Sequence, residues 1–370
     1  MSKLLILGVT HTAQSPRLLY RQVFKLAQRC PHVHCVYVGR SSFGDSEESH
    51  ELLPVIRPRG KTNVKLKGRR WWSTFRLGLQ TRPEWVQASD VRELALGLVI
   101  CVITRARLIY DAHEDYFNQP YEYSGKTLRG WIKGVNFRVQ EILLVRFASA
   151  VFCTDEYLFN LYRRKMFGAE KVHLLRNFTN VDFVDERASA PDPAKPLRLV
   201  YIGGVNRFRG VIECAEFVDR FNSEEGHKVL TLDIYSHKNE LIRELSARGL
   251  IRHRRHLRPP MMLKRLSEYH VGICLWQNLE KFKRNLPMKN FDYMAVGLPV
   301  ITSDFENLRR QTGAAGCCIS PDSYEAFRQA IEGLRNPVRW SQMSESAIES
   351  TRQRFDLDDE IKNYLNVFQC

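Results

Sequence analysis

The chain contains two successive series in which short apolar runs alternate with helical patterns. That alternation is the strongest constraint on its fold. Residues 3–8 form a first apolar run that ends in a glycine, as buried parallel strands commonly do. Ser15 and Pro16 then mark a helix start, as a capping residue followed by proline at the first helical position. A second strand is predicted at 33–38. This spacing is that of a βαβ unit, so the first half predicts an α/β domain with a mostly parallel sheet.

The same pattern continues to the C-terminal region, with one break. Residues 185–196 contain three prolines within six positions, as is typical of an inter-domain linker. The fold class predicted is α/β, with two Rossmann-like domains and a cleft between them, where ligands bind beyond the carboxyl ends of the strands. Strands are predicted at 85–88, 108–110, 150–153, 172–175, 197–202, 230–235, 271–275 and 299–301. Helices are predicted at 91–105, 131–147, 210–221, 241–248, 263–269, 291–296 and 324–335.

Composition excludes several other classes of protein. The 370 residues suffice for two domains. With 44% hydrophobic and 26% charged residues the chain is neither disordered nor collagen-like. Its longest apolar run, 94–103, is shorter than the ~20 residues of a membrane span, and the N-terminus has no signal-peptide pattern. Nine cysteines without a C-x-x-C pair favour a reducing compartment and no structural zinc. We therefore expect a cytoplasmic protein.

The net charge of +15 predicts an anionic partner: nucleic acid, a phosphorylated ligand or an anionic membrane surface. Aromatic residues accompany a first basic stretch at 55–83. This combination predicts either contact with a membrane interface or a solvated loop anchored to the first domain. A second basic cluster lies at 252–258. The first stretch has nine basic residues and no acidic one: Arg57, Arg59, Lys61, Lys65, Lys67, Arg69, Arg70, Arg76 and Arg82.

A glycine-rich turn, YIGGVNRFRG at 201–210, joins a predicted strand to a predicted helix. Glycines let backbone N–H groups approach a phosphate, and the helix N-terminus and a nearby arginine add positive charge. The stretch is equally compatible with a plain βα turn whose arginines are solvated.

A more specific motif, LPMKNFDYMAVGLPVI, occupies 286–301. It resembles the pattern P-x-K-x-x-E-Y-M-A-x-G-x-P-V-I of glycosyltransferase family 4, the retaining nucleotide-sugar transferases of GT-B fold, with Asp292 in place of the usual glutamate. The segments at 111–114, 176–182, 203–210 and 316–322 resemble other segments of that family. The matching residues are Pro287, Lys289, Tyr293, Met294, Ala295, Gly297, Pro299, Val300 and Ile301.

The resemblance implies a GT-B fold with an acceptor-side domain at 1–184, a linker at 185–196 and a nucleotide-sugar domain at 197–354. A C-terminal helix, 355–370, would cross back to the first domain. It also implies a hexosyltransferase reaction with retention, in polysaccharide or glycolipid assembly. The partners implied are a UDP or GDP sugar, with UDP the more common, and a sugar or lipid-linked acceptor at the inner face of the membrane. Nucleic acid is not an implied partner.

The resemblance also implies roles for particular residues. No cofactor or metal is implied, because side chains supply the positive charge at the leaving β-phosphate. His113 would lie beside the reacting carbon, and Asp292 would accept the ribose hydroxyls. The implied catalytic residues are His113, Arg209 and Lys289. The implied nucleotide-sugar-binding residues are Gly203, Gly204, Arg207, Arg209, Lys289, Asp292 and Tyr293. Candidates for the acceptor side or its loop are Gly8, His11 and Glu114.

The sequence departs from the family pattern at a few positions. Arg284 stands where many members have the first of two glutamates, and Gly204 replaces an arginine that grips phosphate. Arg209 takes the place of a lysine, and Arg207 is a candidate to supply the missing charge. Three alternatives stay open: another GT-B activity, such as an epimerase or an inverting transferase; a basic nucleic-acid-binding protein; and an inactive scaffold of the same fold.

Overall fold

The computed structural model describes residues 2–12, 15–40, 67–116, 118–124, 126–165 and 169–369. They divide into two compact units. The first comprises Met1–Arg176 together with Asp358–Cys370, and the second comprises Asn177–Leu357. From sequence, the domain limits are placed at 184 and 355; the predicted linker 185–196 lies within the second unit.

The first unit is built on a six-stranded sheet whose neighbouring strands all pair in parallel, in the order β2-β1-β3-β4-β5-β6. Leu4, Leu5, Ile6 and Leu7 have no exposed surface, which explains why the first apolar run forms a strand covered on both faces. The strands are β1 (Ser2–Thr12), β2 (Val33–Arg40), β3 (Trp85–Ala88), β4 (Arg107–Ala112), β5 (Ala148–Cys153) and β6 (Val172–Leu174).

A helical segment of π type, Pro16–Val23, follows β1, with Ser15 as its cap, and continues as α1 (Phe24–Arg29). Except for Asn118–Tyr123, the next helices contribute apolar residues to one core that they share with Leu5, Leu7 and Val86. They are α2 (Lys67–Thr81), α3 (Val91–Thr104), α4 (Asn118–Tyr123), α5 (Leu128–Val145) and α6 (Glu156–Lys165).

The second unit contains another six-stranded parallel sheet, ordered β12-β11-β10-β7-β8-β9. Its core joins β7, β8 and β10 to the buried faces of several helices. The strands are β7 (Leu197–Ile202), β8 (Leu230–Ser236), β9 (Arg252–Arg255), β10 (Val271–Cys274), β11 (Val300–Ser303) and β12 (Gly316–Ile319). The helices are α7 (Val211–Glu224), α8 (Glu240–Ala247), α9 (Pro259–Leu266), α10 (Met288–Ala295), α11 (Glu306–Thr312), α12 (Tyr324–Leu334) and α13 (Pro337–Arg354).

The C-terminal helices, α14 (Leu357–Glu360) and α15 (Lys362–Asn366), largely belong to the first unit. Ion pairs attach this segment: the buried ammonium of Lys25 lies 2.7 Å from Asp358, and Arg176 lies 2.7 Å from Glu360. Tyr364 is fully buried and its ring packs edge-on against Phe152 of β5. The segment therefore completes the core of the first unit.

The sequence pattern predicts the parallel α/β class correctly, but it misses several elements. Residues 67–81 form helix α2 where the sequence suggested a basic stretch, because Trp71, Phe75 and Leu77 pack against the core of the first unit. The basic cluster at 252–258 includes edge strand β9, which contains no apolar residue to signal it. Residues 306–312 form α11, and 337–354 form α13.

Within the described ranges, no helix is long and apolar enough to cross a membrane. Cys30 is disulfide-bonded, which the cysteine spacing does not predict.

Candidate functional site

The strand order of the second unit creates a topological switch point. After β7 the chain adds β8 and β9 on one side, and then returns to place β10 on the other side of β7. In open α/β sheets, ligands bind beyond the carboxyl ends of the two strands at such a point. The glycine loop after β7 is located there.

The loop from Gly203 to Gly210 is held in a defined shape. Gly210 has a φ of +65°, and a Cβ at this position would lie 1.5 Å from the carbonyl oxygen of Leu275, so only glycine fits. The hydroxyl of Tyr201 donates to the carbonyl of Gly204 at 2.7 Å, and the amide of Gln277 donates to the carbonyl of Phe208 at 3.0 Å. The loop is thus fixed before any ligand arrives.

Lys289, in the first turn of α10, extends beneath this loop. The residue is only 6% exposed, and its ammonium lies 3.4 Å from the centre of the Tyr201 ring. A Cβ on Gly203 would lie 4.0 Å from that nitrogen, so the loop backbone passes close to the ammonium. Nζ of Lys289 has no hydrogen-bond partner among the described residues. A buried ammonium normally has one, so this nitrogen requires an explanation.

The surroundings of Lys289 disfavour its charged form. Burial is the main cause that lowers the pKa of Lys289 to about 7, and the positive charge of Arg209 acts in the same direction. Burial raises the pKa of the nearby Cys274 thiol, although both cations oppose this. Neither Lys289 nor Arg209 forms an ion pair with an acidic residue in the described part of the chain. Two cations at a strand end, beside a glycine backbone, make this a candidate site for a multiply charged anion.

Asp292 and Tyr293 follow Lys289 on α10 but occupy different environments. Asp292 is half-buried, and the hydroxyl of Thr179 donates to it at 2.5 Å. Tyr293 is fully buried, and its hydroxyl accepts from the amide of Ile202 at 3.0 Å. The ring also fills the space beside Gly272, where a Cβ would lie 2.4 Å away. This placement gives Tyr293 a structural role beneath β7 and β10, and its part in ligand binding stays a prediction that these contacts do not support.

The other predicted loop residues are exposed. Arg207 points to solvent and has no ion pair with any described residue. A Cβ added at Gly204 would meet no atom within 4 Å, so no steric reason requires glycine where the family pattern has arginine. The structure therefore groups Gly203, Arg209 and Lys289, with Arg207 on the outer side of the same loop.

In the first unit, His113 lies just after β4 and close to a buried ion pair. Its Nε2 is 2.8 Å from Oδ2 of Asp111 and 3.0 Å from Nε of Arg17. Arg17 also donates to Asp111 and, at 2.6 Å, to the carbonyl of Leu175. Burial alone would raise the pKa of Asp111, but the charges of Arg17 and His113 and their hydrogen bonds hold it well below its usual range. The carboxylate thereby fixes the orientation of the imidazole.

A relay of buried side chains extends from Asp111 toward the C-terminus. Gln22 donates to Asp111 at 2.7 Å, Gln87 donates to Gln22 at 2.8 Å, and Tyr364 donates to Gln87 at 2.7 Å. No sequence motif identifies Arg17 or these three residues. The one signal that the sequence offers for this relay is that these polar residues stand among apolar residues of strands and helices.

The acceptor-side candidates are placed as follows. A Cβ at Gly8 would lie 2.5 Å from the Tyr37 hydroxyl, so this glycine permits close packing of β1 against β2. Glu114 is half-buried next to His113. His11 belongs to β1, but its side chain lies outside the described part of the chain. Among described residues, no group of three or more His, Cys, Asp or Glu side chains could hold a metal ion.

Comparison with known proteins gives structural matches only. The Anabaena protein HepE, solved with UDP and glucose, is 12% identical with a TM-score of 0.71, and the match covers 100% of both chains. Sucrose-phosphate synthase from Thermosynechococcus elongatus is 12% identical with a TM-score of 0.74, over 100% of this chain and 98% of that one. A glycosyltransferase from Rickettsia africae is 10% identical with a TM-score of 0.63 over 100% and 98%. No protein-family model and no curated protein sequence matches the chain. These matches confirm the predicted GT-B fold.

Proposed function

We propose that the protein is a family 4 glycosyltransferase that moves a sugar from a nucleoside diphosphate to an acceptor hydroxyl with retention at the anomeric carbon. The observation that carries this proposal is the buried ammonium of Lys289. It has no hydrogen-bond partner among described residues and lies close to Arg209 at the switch point of the second unit. A diphosphate supplies the negative charge and the acceptor oxygens that this pair of cations requires.

The structural neighbours support a nucleotide-sugar donor. HepE has been solved with UDP and with UDP-glucose, and its fold matches this chain over its full length. For the same reason we infer that the donor nucleotide is UDP, with GDP as the alternative.

The proposed chemistry follows from the position of the charges. As the bond between the anomeric carbon and the β-phosphate oxygen breaks, negative charge accumulates on the leaving diphosphate. Arg209 and Lys289 stabilise that charge, and removing one such group typically costs ~3 kcal/mol of transition-state stabilisation. Because these side chains supply the charge, the proposed reaction requires no metal ion. Asp292, oriented by Thr179, is our candidate to accept the ribose hydroxyls.

His113 is the proposed contact to the transferred sugar or the acceptor. Asp111 and Arg17 hold its ring in one orientation, as a positioned hydrogen-bond partner of a sugar hydroxyl requires. We further propose that the acceptor is a sugar or a lipid-linked sugar of polysaccharide or glycolipid assembly, and that the protein works at the cytoplasmic face of a membrane. Of the predicted membrane stretch Arg57 to Arg82, residues up to 66 lie outside the described residues.

The proposal is tested by calorimetric titration of UDP and GDP into the wild-type protein and into Lys289→Met. We expect one nucleotide to bind the wild-type protein and the variant to bind it about 100-fold more weakly, which corresponds to ~2.7 kcal/mol. The matched control is Lys264→Met, which removes an exposed lysine of the same unit and should leave affinity unchanged. If neither nucleotide binds, or if Lys289→Met binds as well as the wild-type protein, the proposed donor site is wrong.

A second assay addresses the reaction itself. Incubation with UDP-glucose or another UDP sugar, with and without a sugar acceptor, should release UDP faster when the acceptor is present. Conversion of the donor to its epimer without release of UDP would instead identify an epimerase of the same fold.

A further inference from the structure

The first unit exposes an unusual number of large apolar side chains along two neighbouring helices. On α5 these residues follow a helical spacing of four and seven positions, which places them in one stripe along the outer surface of the helix. Leu128, Ile132, Val139, Leu143 and, just beyond the helix, Phe147 are each more than half exposed. Trp131 flanks the stripe and is 47% exposed.

Helix α3 contributes a second exposed apolar face. Between Glu93 and Arg105 it contains no charged residue, and a helix that is apolar all round is normally buried. Its inner residues do join the core, but Val99, Val102 and Ile103 remain exposed, Val102 by 72%. Helix α3 packs against both α2 and α5, and Gly78 of α2 lies against Ile100. The three helices thus form one continuous layer, to which α2 adds the exposed Trp72.

Every exposed charge on α3 and α5 is positive. The acidic residues of these two helices, Glu93 and Glu141, are fully buried, and α2 has no acidic residue. Arg129 and Lys133 are exposed beside the apolar stripe of α5, and Arg105 follows the end of α3. This combination of aliphatic residues, tryptophans and basic residues is characteristic of helices that lie in the plane of a membrane interface.

We propose that the outer layer formed by α2, α3 and α5 docks onto an anionic lipid bilayer. The apolar stripe would enter the boundary between headgroups and acyl chains, and the basic residues would contact the headgroup phosphates. Charge decides between this occupant and a second copy of the chain, because a symmetric dimer would bring two positively charged faces together. The proposal rests on the membrane location put forward above and names the surface responsible for it. Its observations lie in the first unit alone, so a failure to bind vesicles would leave the nucleotide site of the second unit as a separate question.

The test is co-sedimentation of the full chain with vesicles of phosphatidylglycerol and phosphatidylcholine in equal amounts, and with vesicles of phosphatidylcholine alone. We expect binding that is at least tenfold stronger to the anionic vesicles. Ile132→Asp combined with Leu143→Asp should reduce that binding at least tenfold, and the pair Ile132→Ser with Leu143→Ser should reduce it less, since serine adds no negative charge. Both side chains are more than half exposed, so the melting temperature should fall no further than it does for the control pair in the second unit.

Matched controls exist in the second unit. Val338→Asp combined with Met261→Asp changes two apolar residues that are at least as exposed as Ile132 and Leu143. This pair should leave vesicle binding unchanged. Arg129→Gln with Lys133→Gln should weaken binding about fivefold per charge, whereas Lys238→Gln with Arg243→Gln should not.

Three results would overturn the proposal. The first is that the wild-type protein fails to bind anionic vesicles. The second is that the control variants weaken binding as much as the α5 variants do. The third is a dimer, measured by light scattering, that the α5 aspartate pair dissociates without affecting vesicle binding, which would identify a second copy of the chain as the occupant.

Discussion

Raising the pH from 7 to 9 should weaken nucleotide binding, because the unliganded protein holds Lys289 with a pKa of about 7. A bound diphosphate stabilises the ammonium and raises that pKa, so binding takes up a proton whenever Lys289 is neutral beforehand. The sign follows: affinity is fully present below the pKa of the free protein and is lost as the pH rises above it.

The magnitude follows from the same value. With a free pKa of about 7 and a bound pKa above 9, the dissociation constant for UDP should rise about 50-fold between pH 7 and pH 9, which is ~2.3 kcal/mol. At pH 8 the binding of one UDP should take up about 0.9 proton. The terminal phosphate of UDP, with a second pKa of about 6, is already ionised in this range and contributes little.

Calorimetry in two buffers of different ionisation enthalpy measures both quantities. The control is Lys289→Met, which should bind weakly with an affinity that no longer depends on pH, whereas Lys264→Met should behave as the wild-type protein does. A dissociation constant that stays the same from pH 7 to pH 9, or an equal pH dependence in Lys289→Met, would refute the assignment of Lys289 as the ligand of the diphosphate.

Further predictions concern stability and affinity. Lys289→Met should raise the free energy of unfolding of the unliganded protein at pH 7 by about 2–4 kcal/mol, as measured by urea denaturation. The difference in stability between this variant and the wild-type protein should shrink as the pH approaches 10.5, the ordinary lysine pKa, because the unfolded chain then also loses the proton. Gly204→Arg should tighten UDP binding about fivefold, with Gly204→Ala as the neutral control, and unchanged calorimetric affinity would show that this position does not face the phosphates. Asp111→Asn should lower the free energy of unfolding by about 3–5 kcal/mol, because it removes the buried carboxylate that pairs with the Arg17 guanidinium, and equal denaturation midpoints would contradict that role. Tyr293→Phe should lower the free energy of unfolding by about 1 kcal/mol without changing UDP affinity, since its hydroxyl bonds to the backbone of β7 and β10.

Much of the fold could be predicted from local pattern. The strand Leu197–Ile202 was bounded by the apolar run and the following glycines, and the structure gives the same limits. Local signals also place Gly203, Arg209 and Lys289 near strand ends, because glycine turns and helix starts are encoded by adjacent residues. Their meeting at one point depends on the strand order, which the resemblance to a known fold supplied.

The remainder depends on contacts between residues that are distant in the chain. Tyr364 donates to Gln87 across 277 positions, and Arg17 contacts Asp111 across 94, so no local pattern identifies either pair. Strand β9 is similar: its arginines are exposed in part, and Arg252 and Arg254 both contact the buried carboxylate of Asp233 on β8. An alternation of apolar residues could not reveal a strand that is held at the sheet edge by ion pairs.

Folding alone does not account for Lys289. An apolar side chain of similar length would fill the space beneath the Gly203 loop and would avoid the desolvation of an ammonium, whose pKa has fallen from 10.5 to about 7 as a result. The surrounding structure does not relieve this cost: the Tyr201 ring offers a cation–π contact at 3.4 Å but no hydrogen-bond acceptor, and Gly210 fixes the loop by its contact with Leu275. A rigid loop around an unsatisfied cation needs little rearrangement when an anion arrives, and preorganisation of this kind makes a charged group effective in stabilising a leaving group. The cost of burying the charged form of Lys289 without a ligand and its proposed role in the reaction thus have the same physical origin.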